Sequence, residues 1–405
     1  MSAPNNMSTD HSRAVLAGAH TDGRGVTKPE GSRADRATSF EVEHFAVPTG
    51  REEEWRFTPL KPLAPMFADA AGVDDAVEVD VETVAGVEIG SLAPGEGARG
   101  TVLVPADRPA AIASARTERA THIRIPAGVE LGQPLHVRVR GLDAAKVAHG
   151  HTVLEVGPGA KAIVIFDHTG AAHYNANVEI AVGEAAEVTV VSLQRWDEGA
   201  VHTGEQKAVV AKDAKVKHVV VSLGGSLVRL NANVGYAGEG AEANLLGVYF
   251  ADSGQHLEHR SFVDHSTPNC VSRVTYKGAL QGESARTVWV GDVLIGAEAH
   301  GTDSYESNRN LVLTEGARAD SIPNLEIETG QIEGAGHASA TGRFADDHLF
   351  YLQSRGIDEA TARRLVVRGF FAEVVAEIGV AEVEEVVMAA IEAELEAAAQ
   401  SGAQV

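Results

Sequence analysis

His337 stands in the run GAGHASATG, residues 334–342, among glycine, alanine and serine. Small neighbours let backbone or a second chain approach closely, and an uncrowded neutral imidazole is a good ligand for iron. The bland alternative is a surface histidine that binds nothing. Upstream, Glu326 and Glu328 in SIPNLEIE offer harder oxygen ligands to a metal, or a solvated strand face. His256, His259 and His265 crowd into QHLEHRSFVDHS. On a strand, positions three apart point to opposite faces, so His256 and His259 would not converge, and packing is the favoured reading. Cys270 is the only cysteine. A lone thiol can ligate metal or pass sulfur, but it is more often a small buried hydrophobe. No GxxxxGK[ST] phosphate loop and no GxSxG elbow occurs, so neither nucleotide hydrolysis nor that serine chemistry is expected.

The totals narrow the class of molecule. With 405 residues the chain can bury a large core, and 44% hydrophobic with 22% charged residues is an ordinary soluble composition. A net charge of −23 argues against direct binding of nucleic acid, whose affinity comes from lysine and arginine at phosphates. A single cysteine excludes a disulfide framework within the chain. No apolar run approaches 18 residues, and AVLAGA, residues 14–19, is too short for a secretory signal. A cytoplasmic protein is expected.

What could hold these side chains? Residues 1–38, rich in Ser, Gly, Asp, Asn and Thr, read as a disordered tail. Residues 39–99 read as a mixed, partly helical region, with PTGREEEWRFTPLKPL suggesting a short helix or turn that ends at Pro59. Over residues 100–342 the text is strand-like: PLHVRVRGL, HTVLEV, NVEIAV and KVKHVVVSL alternate over short runs between turn residues. Turns align on Ala160, Ala186, Ala214, Ala241, Ala285 and Ala317, with early intervals of 26, 28 and 27 residues and later ones of 44 and 32. That period suits one coil of a β-solenoid, in which stacking supplies the core that no single coil can bury. A β-sandwich is the alternative.

Residues 343–400 turn helical. DDHLFYLQSRG reads as a helix capped by Asp346 or Asp347 and stopped at Gly356, with Phe350, Tyr351 and Arg355 anchoring it on the solenoid end. A second helix runs from Asp358 to Gly379, with Ala362, Leu365, Val366, Phe370 and Val374 on its apolar face. A third carries a stripe of Val383, Val387, Ile391 and Leu395.

SIPNLEI, the loop with His337, DDHLFYLQSRGI and ARRLVVRGFF occur in that order and closely resemble the C-terminal signature of the SufB/SufD family, the scaffold subunits of the SUF iron–sulfur cluster assembly machine. DHSTPNCVSRVTYKGAL and GTDSYESNRNLVLTEGARADSIPNLEI resemble its core, and PTGREEEWRFTPLKPL resembles the N-terminal motif of the SufD branch. The resemblance spans about residues 47–379. It implies a mainly β fold, a right-handed parallel β-helix with flanking helical regions, and a non-catalytic scaffold working with a SufB subunit and the ATPase SufC. It further implies a transient cluster at the SufB–SufD interface, to which His337 would be this chain's ligand, with Glu326 and Cys270 as weaker candidates. The helical C-terminus would meet SufC, and Arg363, Arg364, Arg368, Phe370 and Phe371 are the basic and aromatic residues expected to be exposed there, with core packing the rival for the two phenylalanines. The absence of cysteine between Gln331 and Gly342 points to SufD rather than SufB. The alternatives are a SufB-like paralogue, a polysaccharide-active β-helix enzyme and a purely structural dimerisation module. Direct iron binding, a reduced flavin in the complex and a homodimer are left open.

Overall fold

The computed structural model describes residues 36–73, 75–344 and 346–400. The expected tail over residues 1–38 lies almost wholly outside them. The chain is mainly β, a parallel β-solenoid of about eight turns followed by helices.

The N-terminal part is mixed. Pro59 precedes a short helix, α1 (Leu60–Leu63), instead of ending one. Proline restricts the residue before it to extended backbone but is tolerated at a helix start, so the motif opens a turn of helix. Strands β1 (Val77–Val81) and β2 (Glu88–Leu92) lie ahead of residue 100. Helix α2 (Arg108–Arg116) is capped by Asp107, whose side chain accepts from the Ala110 N–H. β3 (Ala120–Ile125) pairs antiparallel with β2 and parallel with β4 (Leu135–Val156), and β1 pairs antiparallel with β4.

From β4 onward neighbouring strands are parallel. β5 (Lys161–Val182) bends through both faces: its first half pairs with β6 (Glu187–Gln194) and its second with β7 (Val201–Val210). One sheet then continues through β8 (Lys215–Ser222), β10 (Glu242–Ala251), β12 (Val271–Leu280), β14 (Asp303–Val312) and β16 (Gly334–Arg343). The other continues through β9 (Leu227–Tyr236), β11 (His256–His265), β13 (Arg286–Ile295) and β15 (Arg318–Ile327). The two rows end on β16 and β15, and among the described strands neither pairs with another beyond it.

The alanine series marks coil corners, and its irregularity has a topological cause. Ala186, Ala214 and Ala241 precede β6, β8 and β10, whereas Ala285 and Ala317 precede β13 and β15 on the other sheet. The even-sheet row continues instead through Cys270 and Thr302, as the register shows: Glu242 stacks on Val271, and Val271 on Asp303. A left-handed residue stands immediately before each small one, for example Asp213 at φ 56° and Asn269 at φ 58°. The corner therefore demands a tolerant backbone residue and then a side chain small enough to be covered by the coil above.

Inside, Val, Leu, Ala and Tyr from both sheets form one core along the bore. The even sheet is buried on its outer face as well, because α4 (Glu359–Ile378) and α5 (Ala381–Gln400) lie across it. Burial on both faces explains why VVVS in β8 and NLLGVYFA in β10 read as nearly continuous apolar runs. Helix α4 is capped as expected, with the Asp358 carboxylate accepting from the Thr361 N–H and Gly379 at φ 70°. Its buried residues are Ala362, Val367, Phe371, Val374, Val375 and Ile378, so the apolar face is rotated from the expected one and leaves Leu365 exposed. The stripe on α5 is buried as expected.

Candidate functional site

The last coil places His337. β16 repeats the register of β14, Glu306 beneath His337 and Asn308 beneath Ser339. In β14 the alternate residues Ser304, Glu306, Asn308 and Asn310 are buried and face the bore, while Tyr305 and Arg309 face out. Parallel register about 4.8 Å up therefore puts Ala335, His337, Ser339 and Thr341 on the bore side of the rim. His337 is nevertheless exposed, since no described coil covers it. Gly336 has a structural reason to be small, because a Cβ there would press on the Tyr305 ring.

Glu306 is the acidic residue nearest in the stack. It is fully buried, and neither carboxyl oxygen has a hydrogen-bond partner among the described residues. Burial, aided by the neighbouring Asp292 charge, pushes its pKa up to about 8; the Asn324 backbone N–H, facing it without closing a hydrogen bond, pulls the other way. Sequence reading passed over Glu306, for which the signal was its place 31 residues before His337, one coil away.

Glu326 lies on β15, half-buried, and its register partner is Leu294. It alternates out of phase with Ala319 and Leu325, which pack on the core, so it does not point into the mouth with His337. Glu328 follows the strand and is half-buried. Among the described residues no group of three or more His, Cys, Asp or Glu side chains could hold a metal ion.

Cys270 occupies a corner position stacked between Ala241 and Thr302 and is fully buried. Its thiol donates to the Gly238 and Pro268 carbonyls at 3.5 and 3.4 Å, and burial raises its pKa, which makes it a poor nucleophile or ligand. The three histidines of QHLEHRSFVDHS separate as their spacing requires. His256 faces outward on Glu258 at 3.1 Å, His259 faces the bore on Ser222 Oγ at 2.8 Å, and His265 bonds Ser272 Oγ at 2.8 Å.

The C-terminal helices sort the proposed partner residues unevenly. Arg363 pairs with Glu359 at 3.0 Å, Arg364 with Glu396 at 3.5 Å and Arg368 with Glu392 at 2.8 Å. Phe370 is half-buried, edge-on to Phe371 at 5.0 Å. Phe371, expected at the surface, is instead fully buried against the even sheet, because α4 turns that face inward. The converse correction applies to α3 (Asp346–Ser354). Phe350 and Tyr351, expected to anchor the helix, are 74% and 58% exposed, and Arg355 lies over the Tyr351 ring at 5.3 Å. The capping expectation for Asp346 and Asp347 concerns side chains outside the described ones. Leu365 adds a third exposed apolar residue.

On the opposite face the N-terminal segment is fixed by a buried charge network. Glu258 takes a hydrogen bond from Thr58 Oγ1 at 2.7 Å and meets Arg229 at 3.3 Å and Arg260 at 3.5 Å. Arg229 also pairs with Asp107 at 2.9 Å and lies 3.9 Å over the Trp55 ring. Burial opposes ionisation of Glu258, but the His256 hydrogen bond and the Arg229 and Arg260 charges outweigh it and hold the carboxyl well below the usual range. Among the described residues no helix is long and apolar enough to cross a membrane.

Residues 139–370 match the family described as SUF system FeS cluster assembly, SufBD core domain. An iron–sulfur cluster assembly SufBD family protein of Mycobacterium tuberculosis is 49% identical over 371 residues, covering 90% of this chain and 94% of the relative. The Mycobacterium leprae counterpart is 49% identical over 363 residues, 88% of this chain and 93% of that one. The iron–sulfur cluster assembly protein SufD of Escherichia coli is 27% identical over 360 residues, 81% and 84% of the two chains.

Proposed function

The chain belongs to the SufBD family of iron–sulfur cluster assembly proteins, and from that premise we propose that it acts as a SufD-like, non-catalytic scaffold subunit. Its cargo is a cluster built at the junction with a SufB-like subunit, to which this chain lends His337. The observation that carries the reading is the open rim. β15 and β16 end their sheets with backbone donors and acceptors unpaired among the described strands, and His337 stands exposed on the bore-facing row of β16. An unpaired strand edge is a template for a partner's strand. A partner adding a strand there would meet the imidazole from above, and one ligand per subunit makes assembly depend on the heterodimer. The lack of any three-residue metal group among the described residues is consistent with a coordination sphere completed by another chain.

SufC contact is assigned to the helical C-terminus, where Phe350, Tyr351 and Leu365 join the earlier candidates Arg363, Arg364, Arg368 and Phe370. Phe371 and Cys270 leave the proposal, both being buried in packing roles. The buried corner position of the thiol also favours the scaffold over a cysteine-dependent role. The cytoplasm is the proposed compartment.

The test is His337→Ala in a reconstitution with the SufB-like subunit and SufC. Complex formation should be unchanged and cluster yield, read by absorption and iron content, should fall at least several-fold. Normal cluster yield would remove His337 from the mechanism.

A further inference from the structure

Besides His259, His265 and Gln281, six side chains in the last three coils carry polar atoms with no hydrogen-bond partner among the described residues. They are Ser261 Oγ, Tyr276 Oη, Thr287 Oγ1, Trp289 Nε1, Ser321 Oγ and both carboxyl oxygens of Glu306. All but Ser321 are at most 1% exposed. All six alternate in phase with the bore-facing core residues of their strands, such as Val263, Val274 and Val293.

They also converge. Register stacks His259, Trp289 and Ser321 in one column, with Ser261 and Thr287 two residues to either side of its row. Glu306 reaches this column from the facing sheet, since a Cβ on Gly291 would collide with both the Trp289 ring and Glu306 Oε2. Trp289 lies 6.0 Å from Tyr276, and His259 lies 5.9 Å from it. Gly291 is thus the small residue that lets an indole and a carboxyl share the same space.

Leaving a buried polar group unpaired is destabilising, and six in one place would offset much of the small net stability of a typical domain. Further along the bore side-chain pairs recur: Gln194 bonds Trp196 and His202, and Gln206 bonds His218, although His202 Nε2 has no partner among the described residues. Polar-walled internal space holds water, whereas apolar space stays dry. A divalent cation would need several oxygen or nitrogen ligands; Glu306 is the one carboxylate of the six, and Asp292 turns away to Asn324 Nδ2 at 2.9 Å.

We propose that the bore of the last three coils is a hydrated chamber, a binding site for a file of ordered water that opens at the rim beneath His337. Its wall continues as protein hydrogen bonds. Asn310 Nδ2 reaches Thr341 Oγ1 at 3.4 Å and donates to Asn308 Oδ1 at 2.7 Å, and Tyr249 Oη donates to Asn310 Oδ1 at 2.7 Å. Tyr249 in turn stacks on His259 at 4.8 Å. The interior below the rim is therefore solvent-connected and able to pass protons, not a dry hydrophobic plug. The chamber stands on its own geometry and does not depend on the ligand role of His337.

Oxygen-17 water relaxation dispersion on the unmodified full chain, with Thr287→Val beside it, tests this. We expect long-lived internal waters in the unmodified chain, a loss of at least one in Thr287→Val, and a Tm lower by about 2 °C in the variant. A dry chamber gives the opposite sign, because removing an unpaired hydroxyl from a dry wall stabilises. A raised Tm, no long-lived water in the unmodified chain, or a stoichiometric metal ion found there by elemental analysis would overturn the proposal. Should the variant fail to fold, the water count on the unmodified chain decides.

Discussion

Mild acid should destabilise this chain steeply, because the bore holds imidazoles that cannot be charged in place. His168, His202, His218, His259 and His265 are at most 4% exposed. Burial pushes His168, His218 and His265 down to about 4 and His259 down to about 3, and burial together with the neighbouring His168 pushes His202 well below its ordinary value. The unfolded chain takes up a proton at each as pH falls through about 6.5, whereas the folded chain resists until the pH is well below that, so their contribution is fully present above 6.5 and is lost as pH falls. Between pH 7 and 5.5 each loses about 1.2 kcal/mol, and the five together about 6 kcal/mol. Buried carboxyls oppose this. Glu306 at about 8, Glu394 at about 7 and Asp264, also raised, favour the folded state as pH falls, and Glu306 and Glu394 together offset about 3.5 kcal/mol. The net loss is then about 2.5 kcal/mol, a large part of ordinary domain stability. Urea unfolding at the two pH values and constant ionic strength measures it. His218→Gln keeps a hydrogen-bonding group opposite Gln206 and removes one proton site, so it should shrink the drop by about 1.2 kcal/mol. A midpoint that does not move between pH 7 and 5.5, or an undiminished drop in the variant, would refute the reasoning.

Other expected outcomes are simpler. Glu258→Gln removes the buried carboxylate that Arg229 and Arg260 share, leaving Asp107 as the remaining ion-pair partner of Arg229, and should cost about 3–5 kcal/mol in urea unfolding. Gly278→Ala would drive a Cβ into the Tyr249 ring, lowering stability by about 1–3 kcal/mol or more without touching the rim; circular dichroism melts would detect it. Phe371→Ala, in the core under α4, should cost about 3–5 kcal/mol, while Phe350→Ala on exposed α3 should leave the melt unchanged and weaken SufC capture in a pull-down. Equal SufC binding by Phe350→Ala would move that contact elsewhere.

Much of the fold was legible because a solenoid writes its period into the text. Small residues at Ala160, Ala186, Ala214 and Ala241 recur since each coil corner is covered by the next. The later break to 44 residues was unreadable in one dimension, because the alanines had changed sheets and Cys270 had taken over the corner. Helix caps at Asp358 and Gly379 were readable because capping is local. The faces of α3 and α4 were not, since which side is buried depends on the sheet they cover. That is why Phe371 went inside and Phe350 and Tyr351 stayed out.

By itself the sequence determined the parallel coils, the helical ending and a lone imidazole in a run of small residues, all features carried by residue type and short-range spacing. Tertiary structure alone decided that Glu306 lies beneath His337, that Cys270 is sealed in a corner, and that six unpaired polar groups meet in the bore. Those juxtapositions join residues tens of positions apart, and only the stacking register between coils brings them together.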